Sequence, residues 1–166
     1  MSSERLVLGI DPGLVKTGWG VVASISNSIK YIDCGVIRTA ASESMETRLV
    51  RIYDEVTRLI SDFKPAAVAM EDVFINMNPK SSEKLIMART AAFLAVAKAG
   101  FFIDHFKPNE IKKNVTGSGH APKEQVHIMV QKILGATIPN DRKTHTLDSM
   151  DALAAAICRV FGRGGG

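Results

Sequence analysis

Four acidic residues occupy positions where carboxylates can do chemistry. Asp11 ends the apolar run Leu-Val-Leu-Gly-Ile and is followed by a Pro-Gly turn, and Glu71 closes a second apolar run. Such runs predict buried strands, and open α/β sheets hold their ligands at the ends of their strands. Asp148 and Asp151 are three residues apart, which places both on one face of a predicted helix. If the four carboxylates converge, they form a site for a divalent metal ion, since hard cations prefer oxygen ligands.

Taken singly, these acids also have structural explanations. Asp11 could stabilise the turn that follows it, and Asp148 could cap its helix. Glu71 is harder to explain in this way, because an acid at the end of an apolar strand has little structural purpose unless it is paired. Cys34 and Cys158 are too few and too far apart in sequence to suggest a competing metal site, and we expect free, buried thiols.

The histidines do not form a pattern that predicts a metal site either. His105, His120, His127 and His145 are scattered along the chain. Their spacing favours surface or packing roles.

The composition limits how a site of this kind can be used. The chain has 166 residues, 46% of them hydrophobic, which fits a single domain over residues 1–161 and a Gly-rich tail over residues 162–166 that we expect to be disordered. The formal net charge is +4, and residues 107–147 include seven basic against three acidic residues. This excess favours an anionic partner. We expect a cytoplasmic protein, because no signal peptide or membrane-spanning run is recognisable.

Hydrophobic periodicity and turn signals predict the elements that must position the acids. The first strand ends at Asp11, and two more strands complete a meander, with a turn at residues 26–28. A helix from Ser44 to Phe63 then leads to the strand that ends at Glu71. The remaining predictions are a helix over 81–99, a strand over 101–106, helices over 108–115 and 122–134, a polar loop over 135–146 and a last helix over 147–161.

Four motifs occur in order along the chain. They are Gly9-Ile10-Asp11-Pro12-Gly13, Glu71 followed by Val73-Phe74, Gly117-Ser118-Gly119 before Lys123, and Asp148-x-x-Asp151-Ala152-Leu153-Ala154. Together with the order of elements, these motifs resemble the ribonuclease H-like fold and, within it, the RuvC family of Holliday junction resolvases. The resemblance implies an α/β fold with a five-stranded mixed sheet flanked by helices. It also implies a metal-dependent endonuclease that nicks two opposed strands of a four-way DNA junction.

The resemblance assigns a metal role to the four acids. In the family, the residues that match Asp11, Glu71, Asp148 and Asp151 bind a pair of Mg²⁺ ions, which implies two Mg²⁺ per subunit here, with Mn²⁺ as a substitute. Two such cations, about 3.5 to 4 Å apart, can activate the attacking water and stabilise the leaving oxygen in phosphodiester hydrolysis.

The resemblance also assigns roles to basic and aromatic residues. Lys112 and Lys123 match basic positions near the scissile phosphate, so both are expected to be catalytic and DNA-binding. Lys113 and Lys143 are expected to extend the DNA-binding patch, although a single lysine is more often a solvated surface charge. Phe74 matches an aromatic residue that stacks on an unpaired base at the junction, whereas its apolar ring alone would favour a core position.

Partners follow from the same resemblance. They are a four-way DNA junction, a second copy of the chain in a C2 homodimer, and a branch-migration helicase complex of the RuvA–RuvB type. The predicted helix over residues 81–99 is unusually apolar. Its excess apolar surface serves either the dimer or burial within one subunit.

Two other functions are compatible with the sequence. One is a ribonuclease H-like nuclease that acts on RNA or on RNA/DNA hybrids. The other is an inactive junction-binding protein, which would require one of the four carboxylates to be missing or misplaced.

Overall fold

A five-stranded mixed sheet forms the centre of the structure, a computed structural model that describes residues 4–72, 78–138 and 147–162. The order across the sheet is β3-β2-β1-β4-β5; β2 is antiparallel to both β1 and β3, and β4 is parallel to both β1 and β5. This topology confirms the predicted fold class. The strands are β1 (Arg5–Asp11), β2 (Lys16–Ile25), β3 (Ser28–Arg38), β4 (Ala67–Glu71) and β5 (Ile103–Phe106).

Helices cover both faces of this sheet. They are α1 (Met45–Phe63), α2 (Pro79–Lys98), α3 (Pro108–Thr116), α4 (Lys123–Leu134) and α5 (Leu147–Phe161). Side chains of β1 alternate between the two faces, as the period of a strand requires. Leu8 and Ile10 join an apolar cluster with residues of α1 and α2, whereas Val7 joins a second cluster with residues of α3, α4 and α5. No helix in the described ranges is long and apolar enough to span a membrane.

Two elements begin two residues away from their predicted first residues. The second helix begins at Pro79 rather than Ser81, because the side chain of Asn78 accepts a hydrogen bond from the Ser81 N–H and proline is well suited to a first helical position. The fifth strand begins at Ile103 rather than Phe101. Phe102 is 96% exposed, so the apolar pattern there does not mark a buried strand.

Glycines let α5 approach the sheet closely. A Cβ atom at Gly9 would lie 1.9 Å from the carbonyl oxygen of Ala152, and one at Gly18 would lie 2.1 Å from that of Asp148. Gly20 pairs with Gly9 in the β1–β2 register and faces the side chain of Leu153. Strand residues without side chains therefore set the depth at which α5 rests on β1 and β2.

We expect Gly9→Ala to destabilise the protein by about 3 kcal/mol or more, because the new methyl group meets backbone that cannot rotate away. Urea denaturation measures the change. Gly119→Ala is the matched control, since a Cβ there would meet Asn109 at an ordinary 3.4 Å, and we expect it to alter stability by less than about 1 kcal/mol. Equal stability of the two variants would contradict the proposed role of Gly9.

Candidate active site

Two acids mark the ends of neighbouring parallel strands. Asp11 is the last residue of β1 and Glu71 is the last residue of β4. Ile10 pairs with Met70, so the two acids end their strands at the same edge of the sheet. Because Ile10 and Met70 both pack towards α1 and α2, the acids that follow them face α5 on the opposite side.

The other two acids come from the first turns of α5. Asp148 lies in the first turn and Asp151 follows it on the same face, and both are half-buried. The close approach of the Asp148 backbone to Gly18, which pairs with Asp11, brings the start of this helix to the ends of the strands. The structure thus brings together all four acids identified in the sequence.

The four carboxylates are close enough to repel one another. Burial raises the pKa of Asp11 well above its usual range, and the charges of the other three acids, Asp151 foremost, raise it further. Burial and the charge of Asp151 also raise the pKa of Glu71. Lys123 opposes the shift at both acids without cancelling it. The edge therefore concentrates negative charge that the chain only partly neutralises.

Lys123 and His127 hold the carboxylate of Asp151. The Nζ atom of Lys123 lies 2.6 Å from Oδ2, and the Nε2 atom of His127 lies 2.8 Å from Oδ1. Burial is the largest single effect on Lys123 and lowers its pKa, but the hydrogen bond to Asp151 and the charges of Asp151, Asp11 and Asp148 together raise it above the usual value. Both oxygens of Asp151 are therefore engaged by side chains of one helix, α4.

His127 is a site residue that sequence reasoning missed. Its burial agrees with the packing role that the sequence allowed, but its contact with Asp151 was not predicted. The available signal was the spacing of Lys123 and His127, which are four residues apart on a helix and so share one face.

A cavity of about 230 Å³ opens beside the acids. Glu71, Lys112, Lys123 and Asp151 line it, together with apolar residues of α3, α4 and α5. Lys112 also stabilises the charge of Glu71. Negative and positive groups thus face one small cavity, and its two lysines can neutralise the charge of a phosphate group.

Arg89 of α2 holds the end of β4 from the face of the sheet that α1 and α2 cover. Its Nη1 atom donates to the carbonyl oxygen of Glu71 at 2.5 Å, and its Nη2 atom lies 3.3 Å from Oδ1 of Asp72. The Nδ1 atom of His105 lies 3.0 Å from the same Nη2 atom, and the His105 ring stacks on Phe93. This cluster holds the backbone of Glu71 in place.

The four carboxylates are suitable ligands for a hard divalent cation, but in their present positions they do not form a complete coordination site. In the described ranges, no three His, Cys, Asp or Glu side chains are grouped so as to hold a metal ion. Asp151 illustrates why, since Lys123 and His127 occupy its two oxygens. The four acids nevertheless offer only carboxylate oxygens, and a cation would relieve their repulsion. Their metal-binding role stays a prediction.

The remaining predicted site residues are less informative. Lys113 is exposed on α3, next to Lys112. Phe74 and Lys143 lie outside the described residues. The DNA contacts predicted for these three residues stay predictions.

Comparisons with known proteins show the family to which the chain is related. A family model described as crossover junction endodeoxyribonuclease RuvC matches residues 7–159. A protein of that name from Paramagnetospirillum magneticum is 40% identical over 158 residues, 95% of this chain and 92% of the relative. Another from Ehrlichia canis is 40% identical over 157 residues, 95% and 97% of the two chains. The solved structure of Thermus thermophilus RuvC in complex with a Holliday junction substrate matches with a TM-score of 0.86 at 33% identity, covering 95% of this chain and 93% of that one.

We expect Asp11→Asn to stabilise the fold when divalent cations are absent. The folded state raises the pKa of Asp11, so the wild-type protein loses stability as pH rises above the ordinary aspartate pKa of about 3.9, until pH passes the folded-state pKa. Asparagine cannot ionise and removes this penalty. The gain in free energy of unfolding should be small near pH 4 and reach about 1–3 kcal/mol near pH 7, as measured by urea denaturation in EDTA.

Asp54→Asn, which changes an exposed aspartate of α1, is the matched control and should show no comparable gain. An Asp11→Asn protein no more stable than the wild type at pH 7 would argue against charge crowding at this edge.

Proposed function

Because the chain belongs to the RuvC family of crossover junction endodeoxyribonucleases, we propose that it resolves Holliday junctions by nicking two opposed strands of a four-way DNA junction during recombination and repair in the cytoplasm. The observation that carries this proposal is the convergence of four carboxylates at one sheet edge beside a cavity that two lysines line. This combination of charges suits phosphodiester hydrolysis.

The cofactor in this proposal is Mg²⁺, two ions per subunit, with Mn²⁺ as a substitute. Asp11, Glu71, Asp148 and Asp151 would hold the ions, which supply an activated water and stabilise the leaving oxygen. The raised pKa of Asp11 and of Glu71 supports a cation at this edge, because a bound cation favours the ionised carboxylates that the protein alone disfavours.

The chain's own residues position the DNA. Lys112 and Lys123 face the cavity and can neutralise the oxygens of the phosphate that enters it. His127 holds one oxygen of Asp151 and so fixes the orientation of that carboxylate. In the same proposal, Lys113 and Lys143 extend the basic surface, and Phe74, three residues after Glu71, stacks on an unpaired base as the family resemblance implies.

We expect Asp11→Asn to reduce junction cleavage by more than about 100-fold while junction binding survives, because members of one catalytic group fail together when one is removed. The assay incubates protein with a labelled four-way DNA junction, a linear DNA duplex and an RNA/DNA hybrid, in Mg²⁺ or in EDTA. Wild-type protein should make symmetric cuts in the junction only, and only with Mg²⁺.

Asp54→Asn should cut as the wild type does. Equal cutting of the hybrid would favour a ribonuclease H-like activity on RNA, and binding without cutting in Mg²⁺ would favour an inactive junction-binding protein. Either result would overturn the proposed function.

The two-fold symmetry of a junction calls for two active sites, and an apolar face of the protein suits a C2 dimer. Part of α2 is buried under the sheet, through residues such as Ala88 and Ala92, but Ile86 and Leu94 are 44% and 57% exposed. They line a groove of about 400 Å³ with residues of α1. A second copy of the chain is the occupant in this proposal, and a branch-migration complex of the RuvA–RuvB type is the further partner.

We expect the wild-type protein to sediment at twice the 18.0 kDa mass of the chain and Leu94→Glu to sediment as a monomer. The two-fold axis would place one buried, unpaired glutamate from each subunit in the interface, which disfavours association. Ile128→Glu is the matched control, because Ile128 is 53% exposed on α4, away from the groove, and this variant should remain a dimer. A monomeric wild type, or a dimeric Leu94→Glu, would contradict this interface.

A further inference from the structure

A second cavity adjoins the edge that holds the acids, on the side of the sheet covered by α1 and α2. It measures about 380 Å³, and we call it the Arg48 pocket. Leu14 and Val15, which follow Asp11 between β1 and β2, form one wall. Arg48 of α1 forms another, and the first turns of α2 contribute Ser81 and Lys84. The pocket therefore neighbours the strand ends that carry the acids.

Arg48 is buried with an unused guanidinium fork. The residue is 7% exposed, and its Nε atom donates to Oγ1 of Thr39 at 2.8 Å. Thr39 in turn donates to the carbonyl oxygen of Leu14, so the guanidinium is held in one orientation. Neither terminal nitrogen, Nη1 or Nη2, donates a hydrogen bond to any residue in the described ranges. The two Nη groups therefore have hydrogen-bonding capacity that no described residue uses.

The fork opens onto the pocket. Every fully buried side-chain nitrogen or oxygen in the described part of the chain has a partner, so the unpartnered nitrogens of Arg48 must keep some exposed surface, and Arg48 lines this cavity. Glu43 is the acid whose charge reaches Arg48. Its carboxylate is already held by Arg51 and by the N–H of Ala40. Among the described residues, Arg48 therefore forms no ion pair with an acid.

The other groups at the pocket are also suited to an anion. Lys84 is exposed at the rim and forms no ion pair with a described residue. Ser81 offers a hydroxyl group in the first turn of α2, a 20-residue helix whose positive end lies here. No acidic side chain is among the described residues that line the pocket. A planar guanidinium beside a lysine and a helix N-terminus matches the oxygens of a phosphodiester.

We propose that the Arg48 pocket binds a backbone phosphate of the DNA strand that is cut, next to the scissile phosphodiester. This inference rests on the proposed function, since it assumes a DNA strand that crosses the carboxylate edge. Lys112 and Lys123 contact that strand from the face covered by α3, α4 and α5, and the Arg48 pocket holds it from the face covered by α1 and α2. A strand held on both sides of the edge presents one phosphodiester to the acids.

The first test measures the salt dependence of junction binding by fluorescence anisotropy in EDTA. Loss of one phosphate contact lowers the slope of log K against log salt by about 0.9 on duplex DNA. We expect Lys84→Met to show this reduction and to weaken binding about tenfold at low salt. Lys98→Met removes the same charge from the last turn of α2, away from the pocket, and should leave the slope unchanged. Equal slopes for the two variants would overturn the proposal.

A second test does not depend on junction binding. The Nε–H group of Arg48, held by Thr39, gives a ¹H–¹⁵N signal that Arg48→Lys assigns by its disappearance. Titration with inorganic phosphate, at constant ionic strength against chloride, should shift this signal saturably in the wild type and in Lys98→Met, and at least severalfold more weakly in Lys84→Met. The absence of a saturable shift in the wild type would overturn the pocket as an anion site.

The two proposals fail in different ways. If the wild type cuts junctions but Lys84→Met and Lys98→Met behave alike in both tests, the pocket proposal fails and the proposed function stands. If the wild type neither binds nor cuts a junction, the proposed function fails together with the role of the pocket on cut DNA, whatever the phosphate titration shows.

Discussion

The contact between α5 and the glycines of β1 and β2 is the constraint on which the rest of the structure depends. Cβ atoms at Gly9 and Gly18 would lie 1.9 and 2.1 Å from carbonyl oxygens of α5, so the helix reaches its depth only over residues without side chains. That depth carries Asp148 and Asp151 to the strand ends. A bulkier strand would push α5 outward and carry its acids away from the strand ends, at a cost in stability.

Packing and electrostatics oppose each other at this edge. The contacts of α5 force the carboxylates together, and the pKa of Asp11 rises because nearby positive charge does not cancel burial and repulsion. Asp151 is the exception, since Lys123 and His127 hold its oxygens. A carboxylate oxygen has more than one lone pair. Asp151 can therefore keep its hydrogen bond to His127 and still bind a cation through another lone pair. If Asp151 binds a metal ion as proposed, His127 would orient that carboxylate, a role its buried position on α4 allows.

The sequence predicts the parts of this site that local pattern controls. Apolar runs closed by an acid indicate strands that end in Asp11 and Glu71, and topology then places them side by side. The contact of His127 with Asp151 joins residues 24 apart along the chain, so hydrophobic periodicity could not show it. The predicted start of the fifth strand at Phe101 was wrong for a related reason, because Phe102 is apolar but 96% exposed. Whether an apolar residue is buried depends on tertiary contacts that no local window contains.

The two faces of the sheet meet at the end of β4. The face under α5 carries the acids, and the face under α1 and α2 carries the exposed apolar groove and the Arg48 pocket. Arg89 spans this division, because it belongs to α2 and donates to the carbonyl oxygen of Glu71. The Arg89 guanidinium is half-buried, and burial lowers its pKa although Asp72 and Glu71 favour its charge. A displacement of α2 therefore moves the group that holds this strand end, so the helix that carries the proposed dimer surface also helps to determine the position of Glu71.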